Sequence, residues 1–581
     1  MRCTFHTTSD GSTRFKWAIA EQVASLTDMK PEQALSAVEI PKKEGVADFA
    51  LCVAKLNRYT KLKGKPQDVA VEWAGKFTAT PLLTSAKADG PYINYVVDKI
   101  PLAEEVLKIV YGSNDQWGNS ADGNGRTIVV EYSSPNIAKP FHFGHLRSTM
   151  IGNFLRNLYK ALGYNVVGIN YLGDWGKQYG LLAVGFSKYG SEEELVKNPI
   201  RHLYDVYVQI NKEADDNEEV GKVIHDQARS YFRKMEDGDP DALALWKRFR
   251  DLSIDEYKLL YKRLNVEFDV YSGESMFSEG MVEAVNLMQE KGLLQEDNGA
   301  LVCDLTKYKL GKIVIKKSDG TTLYITRDIA AAIWRHRTYG FEKMFYVVGS
   351  QQNLHFQQLF KILDLMGFDW AKKCNHINFG MITGMSTRKG TAKFLSDILE
   401  AAQEQMLDRM KANEAKMSEI TDPEKTADVV GVSAVVVQDF SAKRVKDYGF
   451  NLERATAAEG DTGPYLQYAH ARLSSMERKN DVKISDAINF QLLNDKEALD
   501  LMMKLARLPE VVRRTSEENE PCTLVTYLMD LCHSISAAHR VLWVMGREQD
   551  VAEARMLLFW AARKTLENGL KILGLAPLQR M

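Results

Sequence analysis

RTIVVEYSSPNIAKPFHFGHLRS, from Arg126 to Ser148, is the stretch that decides the fold. It opens with RTIVVEY, a β-branched run that predicts a buried strand, and the residues after the proline-containing loop predict a helix from about Leu146 to Leu162. YNVVGINYL, from Tyr164 to Leu172, predicts a second buried strand. A strand, a loop, a helix and a strand in this length form a βαβ unit, which implies a parallel sheet.

Periodicity on either side of this unit divides the 581 residues into three parts. Residues 1–122 predict a small α+β domain, in which the alternating run GPYINYVVD is a strand and the turn-rich GSNDQWGNSADGNG marks the boundary. Residues 123–400 predict a Rossmann-like α/β catalytic domain with a charged helical insertion at about 190–265. Residues 401–581 predict an all-α domain. The expected fold class is therefore α/β, flanked by an α+β and an all-α domain.

Composition predicts a folded multidomain protein that is soluble and has no membrane span. Apolar residues make up 45% of the chain, and the longest strongly apolar stretch, Val429 to Val437, is too short to cross a bilayer. The six cysteines stand singly, so reduced thiols are expected, without a CxxC zinc pair or any structural metal. The first residues lack an apolar h-region, so the cytoplasm is the expected compartment, with a mitochondrial route left open. A formal net charge of -2 confines any nucleic-acid surface to a local patch.

His142, Gly144 and His145 stand where the first predicted strand has ended and the helix begins. Backbone N–H groups favour phosphate there, two imidazoles can bond its oxygens as charge develops, and Gly144 leaves room for a nucleotide. Taken alone, HxGH is equally a chance string with one histidine capping the helix. The HxGH segment is preceded by four polar residues, which supply a carboxylate, a hydroxyl, an amide and an ammonium group: Glu131, Ser134, Asn136 and Lys139. This cluster predicts a site for nucleotidyl transfer from ATP.

HINFGMITGMSTRKGT, from His376 to Thr391, predicts a strand followed by a flexible loop with Arg388 and Lys389. Such a loop suits closure over a pyrophosphate leaving group, although by itself the run is equally an exposed basic turn.

LYITRDIAAA places Tyr324 and Asp328 four residues apart, where a strand is expected to give way to a helix. Carboxylate and hydroxyl acceptors in one pocket suit the planar donors of a guanidinium. The alternative is that Asp328 caps a helix beginning at Ile329.

DTGPYLQYAHARLSSM, from Asp461 to Met476, predicts a helix whose aromatic side chains are interleaved with Arg472. Single-stranded RNA bases stack on such rings and arginine contacts phosphate, whereas the alternative is that the rings belong to the core.

Together these motifs resemble those of class I aminoacyl-tRNA synthetases, in the form typical of arginyl-tRNA synthetases. SSPNIAKPFHFGHLRS is similar to the HIGH signature, YLGDWGKQYG to the next block, and STRKG to a degenerate KMSKS loop in which Gly384 replaces the first lysine. The resemblance implies that L-arginine and ATP, with Mg²⁺, form arginyl-adenylate, that the arginyl group passes to tRNA(Arg), and that activation needs bound tRNA. It also implies a monomer.

The resemblance assigns roles residue by residue. Catalysis falls to His142, His145, Lys139, Arg388 and Lys389, with Lys139 supplying the charge missing from the loop. ATP is bound by His142, Gly144, His145, Met385 and Ser386. The guanidinium side of arginine is read by Glu131, Tyr324 and Asp328, and its α-amino and carboxylate side by Asn136, His142 and Gln352, with Ser134 in the same pocket. The tRNA is contacted by Tyr92, Asn94, Tyr465, Tyr468, His470, Arg472 and Met581.

The sequence leaves open two other functions and one other explanation of a predicted tRNA contact. A catalytically silent tRNA-binding paralogue has no chemical need for the intact histidines, Lys139 and Asp328. A small-molecule nucleotidyltransferase that shares HxGH has no use for the long helical C-terminal part. For ADGPYINY, similar to the block that contacts the tRNA elbow, burial of Tyr92 under a strand is an equally good explanation. His539 also stands where a tyrosine is expected, which leaves stacking at that position open.

Overall fold

The structure is a computed structural model that describes residues 13–41, 47–62, 64–137, 141, 143–320, 323–383, 394–412, 417–485 and 487–581. In these ranges the chain forms an N-terminal sheet with helices, a central parallel sheet with a helical insertion, and a C-terminal set of helices. No helix in them is both long and apolar enough to cross a bilayer.

The N-terminal sheet is antiparallel, with the strand order β1-β2-β4-β3. Its strands are β1 Val38–Glu39, β2 Phe49–Cys52, β3 Leu83–Asp89 and β4 Tyr92–Val97, and its helices are α1 Thr13–Ser25, α2 Pro31–Leu35, α3 Pro66–Gly75 and α4 Lys99–Ser113. The predicted strand at GPYINYVVD is β4, whose alternate residues Ile93, Tyr95 and Val97 are buried. The intervening residues therefore lie on the outer face of the sheet.

The central sheet has five parallel strands in the order β12-β11-β5-β6-β7, which confirms the predicted parallel sheet. Its strands are β5 Thr127–Glu131, β6 Asn165–Leu172, β7 Val270–Gly273, β11 Lys343–Tyr346 and β12 Cys374–His376. Helices α5 Phe143–Ala161, α11 Ser278–Glu290, α12 Tyr324–Tyr339 and α13 Asn353–Leu365 cover it. The order reverses between β5 and β11, and ligands bind at the carboxyl ends of strands at such a point.

Two additions extend this domain. Between β6 and β7 lie the helices α6 Lys177–Tyr189, α7 Glu192–Lys197, α8 Pro199–Asp216, α9 Glu218–Glu236 and α10 Pro240–Arg263. Between α11 and α12 lies a small antiparallel sheet of β8 Gln295–Asp297, β9 Ala300–Asp304 and β10 Lys312–Lys316. Trp246 of α10 donates its ring N–H to the carbonyl of Asp174 at 2.7 Å, which fixes the insertion to the chain just after β6.

The C-terminal part is helical apart from one short parallel pair, β13 Ile382–Thr383 with β14 Tyr448–Gly449. Its helices are α14 Leu395–Lys411, α15 Pro423–Phe440, α16 Leu452–Ala455, α17 Gly463–Lys479, α18 Lys496–Ala506, α19 Leu508–Glu518, α20 Pro521–Val541 and α21 Gln549–Ile572. Close approach of α15 and α17 requires Gly463, because a Cβ atom there would lie 2.1 Å from the carbonyl oxygen of Ser433.

Candidate active site

A cleft of about 680 Å³ opens at the carboxyl ends of β5 and β11, where the strand order reverses. Five of the predicted site residues line it: Ser134, Asn136, Gly144, His145 and Gln352. They come from the loop after β5, the start of α5 and the turn before α13. The structure therefore brings together residues that are more than two hundred positions apart in the chain, such as Ser134 and Gln352, as the topology of an open α/β sheet predicts.

The loop after β5 is held in a sharp turn by polar contacts. Ser133 and Ser134 have φ angles of 70° and 48°, a conformation that non-glycine residues rarely adopt. Ser133 donates its N–H to the hydroxyl of Ser148 at 2.9 Å, and Ser134 donates its N–H to Asn170 Oδ1 at 3.2 Å. The hydroxyl of Ser134 is buried without a hydrogen-bond partner among the described residues. That hydroxyl is available to a ligand in the cleft.

Asn136 reaches the cleft because the residue that it pairs with, directly after β6, has no side chain. Asn136 and Gly173 form an isolated parallel bridge, and a Cβ atom on Gly173 would lie 2.0 Å from Asn136 Oδ1. Tyr257 of α10 donates its hydroxyl to the carbonyl of Asn136 at 3.2 Å. The amide is thus positioned by close backbone packing.

Helix α5 begins at Phe143, so Gly144 and His145 lie in its first turn, where the N–H groups and the helix dipole favour an anion. The helix starts three residues earlier than predicted. The other predicted phosphate-handling residues lie outside the described residues: Lys139, His142, Met385, Ser386, Arg388 and Lys389. Their roles stay predictions.

A group of acidic side chains, which we call the acidic pocket, lies at the start of α12 and just after β7. Asp328 Oδ2 lies 2.6 Å from His355 Nε2, and Tyr324 is exposed one turn earlier. Because α12 begins at Tyr324, Asp328 is inside the helix, and the alternative that it caps a helix beginning at Ile329 is wrong. Tyr324 was likewise expected at a strand-to-helix junction; it is the first residue of the helix.

Glu274, just after β7, is a member of this pocket that the sequence did not suggest. Its carboxylate lies 2.9 Å from the guanidinium of Arg327. Burial raises the pKa of Glu274 to about 7; Arg327 opposes this rise, and the carboxylates of Asp328 and Asp174 add to it. Because this pKa is raised in spite of Arg327, a further cation beside Glu274 would favour its ionised form.

Asp174 fixes the turn that presents Glu274. It is completely buried, accepts hydrogen bonds from the N–H and hydroxyl of Ser275 at 2.9 Å each, and forms an ion pair with Arg250 of α10 at 2.8 Å. Gly273 must be glycine, since a Cβ atom there would lie 2.1 Å from Asp174 Oδ2. The sequence signal that points to Glu274 is a carboxylate directly after a strand and a glycine in YSGES.

Glu131 differs from its expected place in the pocket. It is only 5% exposed, and its carboxylate lies 2.6 Å from Arg335, whose guanidinium lies over the ring of Tyr171 at 4.9 Å. Burial raises the pKa of Glu131, and Arg335 opposes the rise. Glu131 therefore belongs to the floor of the site, with its charge already paired.

A second cavity, of about 220 Å³, is formed by α14, α15, α17 and the chain end. Its lining includes Tyr468 and Met581, both predicted RNA contacts, with Met406 and Met410. Arg472, one turn after Tyr468, donates to His539 Nδ1 at 2.8 Å. Burial, and next Arg472, lower the pKa of His539, which favours the neutral ring that accepts this bond.

Two other predicted RNA contacts on α17 are less open. The ring of His470 is fully buried and its Nδ1 donates to the carbonyl of Leu578 at 2.8 Å, so it holds the C-terminal tail. Tyr465 is partly buried, with its hydroxyl 3.3 Å from Ser536 Oγ. In the N-terminal sheet, Tyr92 is 37% exposed and Asn94 shares its outer face, so burial of Tyr92 under a strand is wrong.

Comparison with known proteins gives matches along nearly the whole chain. Residues 107–452 match the family described as tRNA synthetases class I (R), catalytic domain; residues 13–97 match the arginyl tRNA synthetase N terminal domain, and residues 466–581 the DALR anticodon binding domain.

A protein of Dictyostelium discoideum named probable arginine–tRNA ligase, cytoplasmic, is 53% identical, over 98% of this chain and 100% of its own. A mitochondrial arginine–tRNA ligase of Saccharomyces cerevisiae is 46% identical over 89% and 82%. The crystal structure of arginyl-tRNA synthetase from Plasmodium falciparum shares the fold, with a TM-score of 0.79 at 20% identity over 98% of both chains.

Proposed function

The chain belongs to the family of class I arginyl-tRNA synthetases, and we propose that it joins L-arginine to tRNA(Arg) in two steps that consume ATP. In the first step the carboxylate of arginine attacks the α-phosphate of ATP, which gives arginyl-adenylate and pyrophosphate. In the second step the 2′-hydroxyl of the terminal adenosine of the tRNA attacks the arginyl carbonyl, and AMP leaves. Two features together support this function most directly. A helix N-terminus in the cleft favours phosphate, and the acidic pocket favours a guanidinium.

Adenylate formation depends on positioning and on stabilising negative charge, without a covalent enzyme intermediate. Gly144 and His145 line the cleft at the start of α5, and with His142 they bond the phosphates as charge develops. Lys139, Arg388 and Lys389 supply the cations, and Met385 and Ser386 contact the nucleotide. Lys139 takes the part of the lysine that Gly384 replaces in the loop.

Arginine lies with its side chain in the acidic pocket and its α-carboxylate towards the phosphates. Asp328, Glu274 and Tyr324 accept the guanidinium donors, a fork that carboxylates match well. Asn136, Ser134 and Gln352, with His142, bond the α-amino and carboxylate groups. Glu131 supports the guanidinium side from the floor, where Arg335 holds it.

The tRNA spans the helical and N-terminal parts. The cavity at Tyr468 and Met581 accepts a base of the anticodon loop, because its sulfur-rich and aromatic lining suits stacking. Arg472 and Tyr465 support this surface, and His470 acts through the tail that it holds. Tyr92 and Asn94, on the outer face of β4, contact the tRNA elbow.

Mg²⁺ reaches the site on the phosphates of ATP. The phosphate oxygens of ATP are the hard ligands that this ion prefers. The protein acts as a monomer in the cytoplasm; the Dictyostelium relative supports this compartment, whereas the mitochondrial yeast relative keeps a second destination open.

Pyrophosphate exchange tests the proposed function. Purified protein is assayed with each of the twenty amino acids, with and without total tRNA, and charging is followed with labelled arginine. We expect exchange with arginine alone, and only when tRNA is present. Exchange with a different amino acid, or charging of a tRNA other than tRNA(Arg), would overturn the proposal.

A further inference from the structure

Arg147, two residues after HFGH, is a buried cation that joins three separate segments. It lies on α5 and is 1% exposed. Its Nη1 donates to the carbonyl of Gly380 at 2.7 Å and to that of Lys446 at 3.2 Å, and its Nε lies 2.8 Å from Asp439 Oδ1. Asp439 is 2% exposed. We use the term buried junction for Arg147, Asp439 and the segments that they hold together.

One side of the buried junction is the strand that leads into the predicted phosphate loop. Gly380 and Met381 directly precede β13, after which residues 384–393 carry the loop motif. Gly380 donates its N–H to the carbonyl of Arg444 at 2.9 Å, and Met381 donates its N–H to Asp447 Oδ1 at 2.6 Å. The position of β13 is therefore set by the segment 444–449 and by α5 together.

The other side of the buried junction is the RNA-facing helical part. Asp439 lies in the last turn of α15, and α15 packs against α17, the helix that carries Tyr468. Gln467 of α17 donates to the hydroxyl of Ser433 on α15 at 2.9 Å. The position of α17 relative to α15 is therefore fixed by this hydrogen bond and by the close approach of Gly463 to Ser433.

A buried ion pair is a poor way to gain stability, because desolvation offsets the attraction and an apolar pair of similar volume does as well. It is a good way to fix geometry, since the charges tolerate little displacement. The ring of Tyr448 lies 5.3 Å and that of Phe379 5.7 Å from the guanidinium of Arg147. These two rings therefore help to enclose the ion pair of Arg147 and Asp439. Burial raises the pKa of Asp439, and Arg147 and the Tyr448 hydroxyl oppose this rise.

We propose that Arg147 and Asp439 are positioning residues that convert occupancy of the RNA-facing helices into the active placement of α5 and β13. The inference rests on the proposed function, and specifically on arginine activation that requires tRNA. In this proposal bound tRNA fixes α17, and the buried junction carries that order through α15 to α5 and β13. Arg147 borders the cleft but is only 1% exposed, so both residues act through the segments that they hold.

The test is the conservative substitution Asp439→Asn, which removes the charge and keeps the volume. The matched control is Asp269→Asn, whose partner Arg156 also lies on α5, 3.3 Å away, but whose contacts stay within the parallel-sheet domain. For both variants we measure thermal melting, the Kd for tRNA(Arg), and kcat and KM for arginine and ATP in pyrophosphate exchange.

For Asp439→Asn we expect kcat with tRNA to fall about tenfold or more, because the buried guanidinium of Arg147 loses its charged partner, with the Kd for tRNA and the KM for arginine changed less than about twofold. The control should keep kcat within about twofold. Tyr448→Phe, which deletes one hydroxyl, should lower the same kcat by a smaller factor and serves if Asp439→Asn does not fold.

Equal losses in Asp439→Asn and Asp269→Asn, or a loss in tRNA affinity in place of kcat, would overturn the inference while leaving the proposed function intact. Wild-type exchange with arginine in the absence of tRNA would do the same. Absence of arginine-dependent exchange in the wild type would overturn both.

Discussion

Glu274→Gln is the substitution that examines the arginine pocket most directly. Burial raises the pKa of Glu274 to about 7; Arg327 opposes this rise, and the nearby carboxylates of Asp328 and Asp174 add to it. Arginine brings a permanent positive charge and favours the ionised form. We therefore expect arginine to bind with release of a proton below neutral pH.

The magnitude follows from the pKa of Glu274 and from the bond that is lost. A carboxyl group with a pKa of about 7 passes from roughly nine-tenths to one-tenth ionised between pH 8 and pH 6, so the wild-type KM for arginine should rise about tenfold over that interval. Charged hydrogen bonds contribute ~1.5–3 kcal/mol, so Glu274→Gln should raise the KM about 10- to 150-fold at pH 8. The variant should also lose the pH dependence.

The KM for arginine is measured by pyrophosphate exchange at saturating ATP and tRNA(Arg), from pH 6 to pH 8. ATP phosphates titrate in the same range, so the profile of Glu274→Gln serves as the baseline for every other group. Glu283→Gln is the matched control, because Glu283 pairs with Arg337 at 2.6 Å on an exposed surface. A wild-type KM that does not change with pH, or a Glu274→Gln variant with the wild-type KM, would refute the assignment of Glu274.

Four further substitutions examine other parts of the proposal. Asp328→Ala should raise the KM for arginine about tenfold or more and leave that for ATP unchanged in pyrophosphate exchange. Lys139→Ala should depress exchange far more than arginine binding by calorimetry; equal losses would contradict it. Tyr468→Ala should weaken tRNA binding by about 5- to 150-fold in a filter assay, as loss of one stacked base predicts. Gly463→Ala should cost about 1–3 kcal/mol in denaturant unfolding, because its Cβ atom would meet the Ser433 carbonyl oxygen at 2.1 Å.

Local pattern predicted the elements well. β5 spans Thr127–Glu131 within the predicted Arg126 to Tyr132, and β6 spans Asn165–Leu172 within Tyr164 to Leu172. A buried β-branched run has few other solutions, and the βαβ rule fixes the direction of the strands. The predicted start of α5 lies three residues too late, because HFGH has no hydroxyl or carboxylate side chain that would indicate a helix cap.

Contacts between distant segments were not predictable in the same way. Glu274 can contribute to the site only because β7 places it near Asp328. The segment YSGES has no periodicity from which this proximity could be predicted. The pairing of Glu131 with Arg335 depends on how α12 lies over β5, which sequence spacing does not determine. The cleft residues were found because they follow strand ends, which is a positional rule.

The anchoring of the helical insertion by Asp174 has a consequence for protein engineering. Residues 177–263 look like a detachable module, since they enter and leave between two neighbouring strands. However, Arg250 of that module neutralises Asp174, and Asp174 shapes the turn of Glu274. A chimaera that exchanges the module must therefore retain Arg250 and Trp246, or the turn that presents Glu274 loses the contacts that fix it.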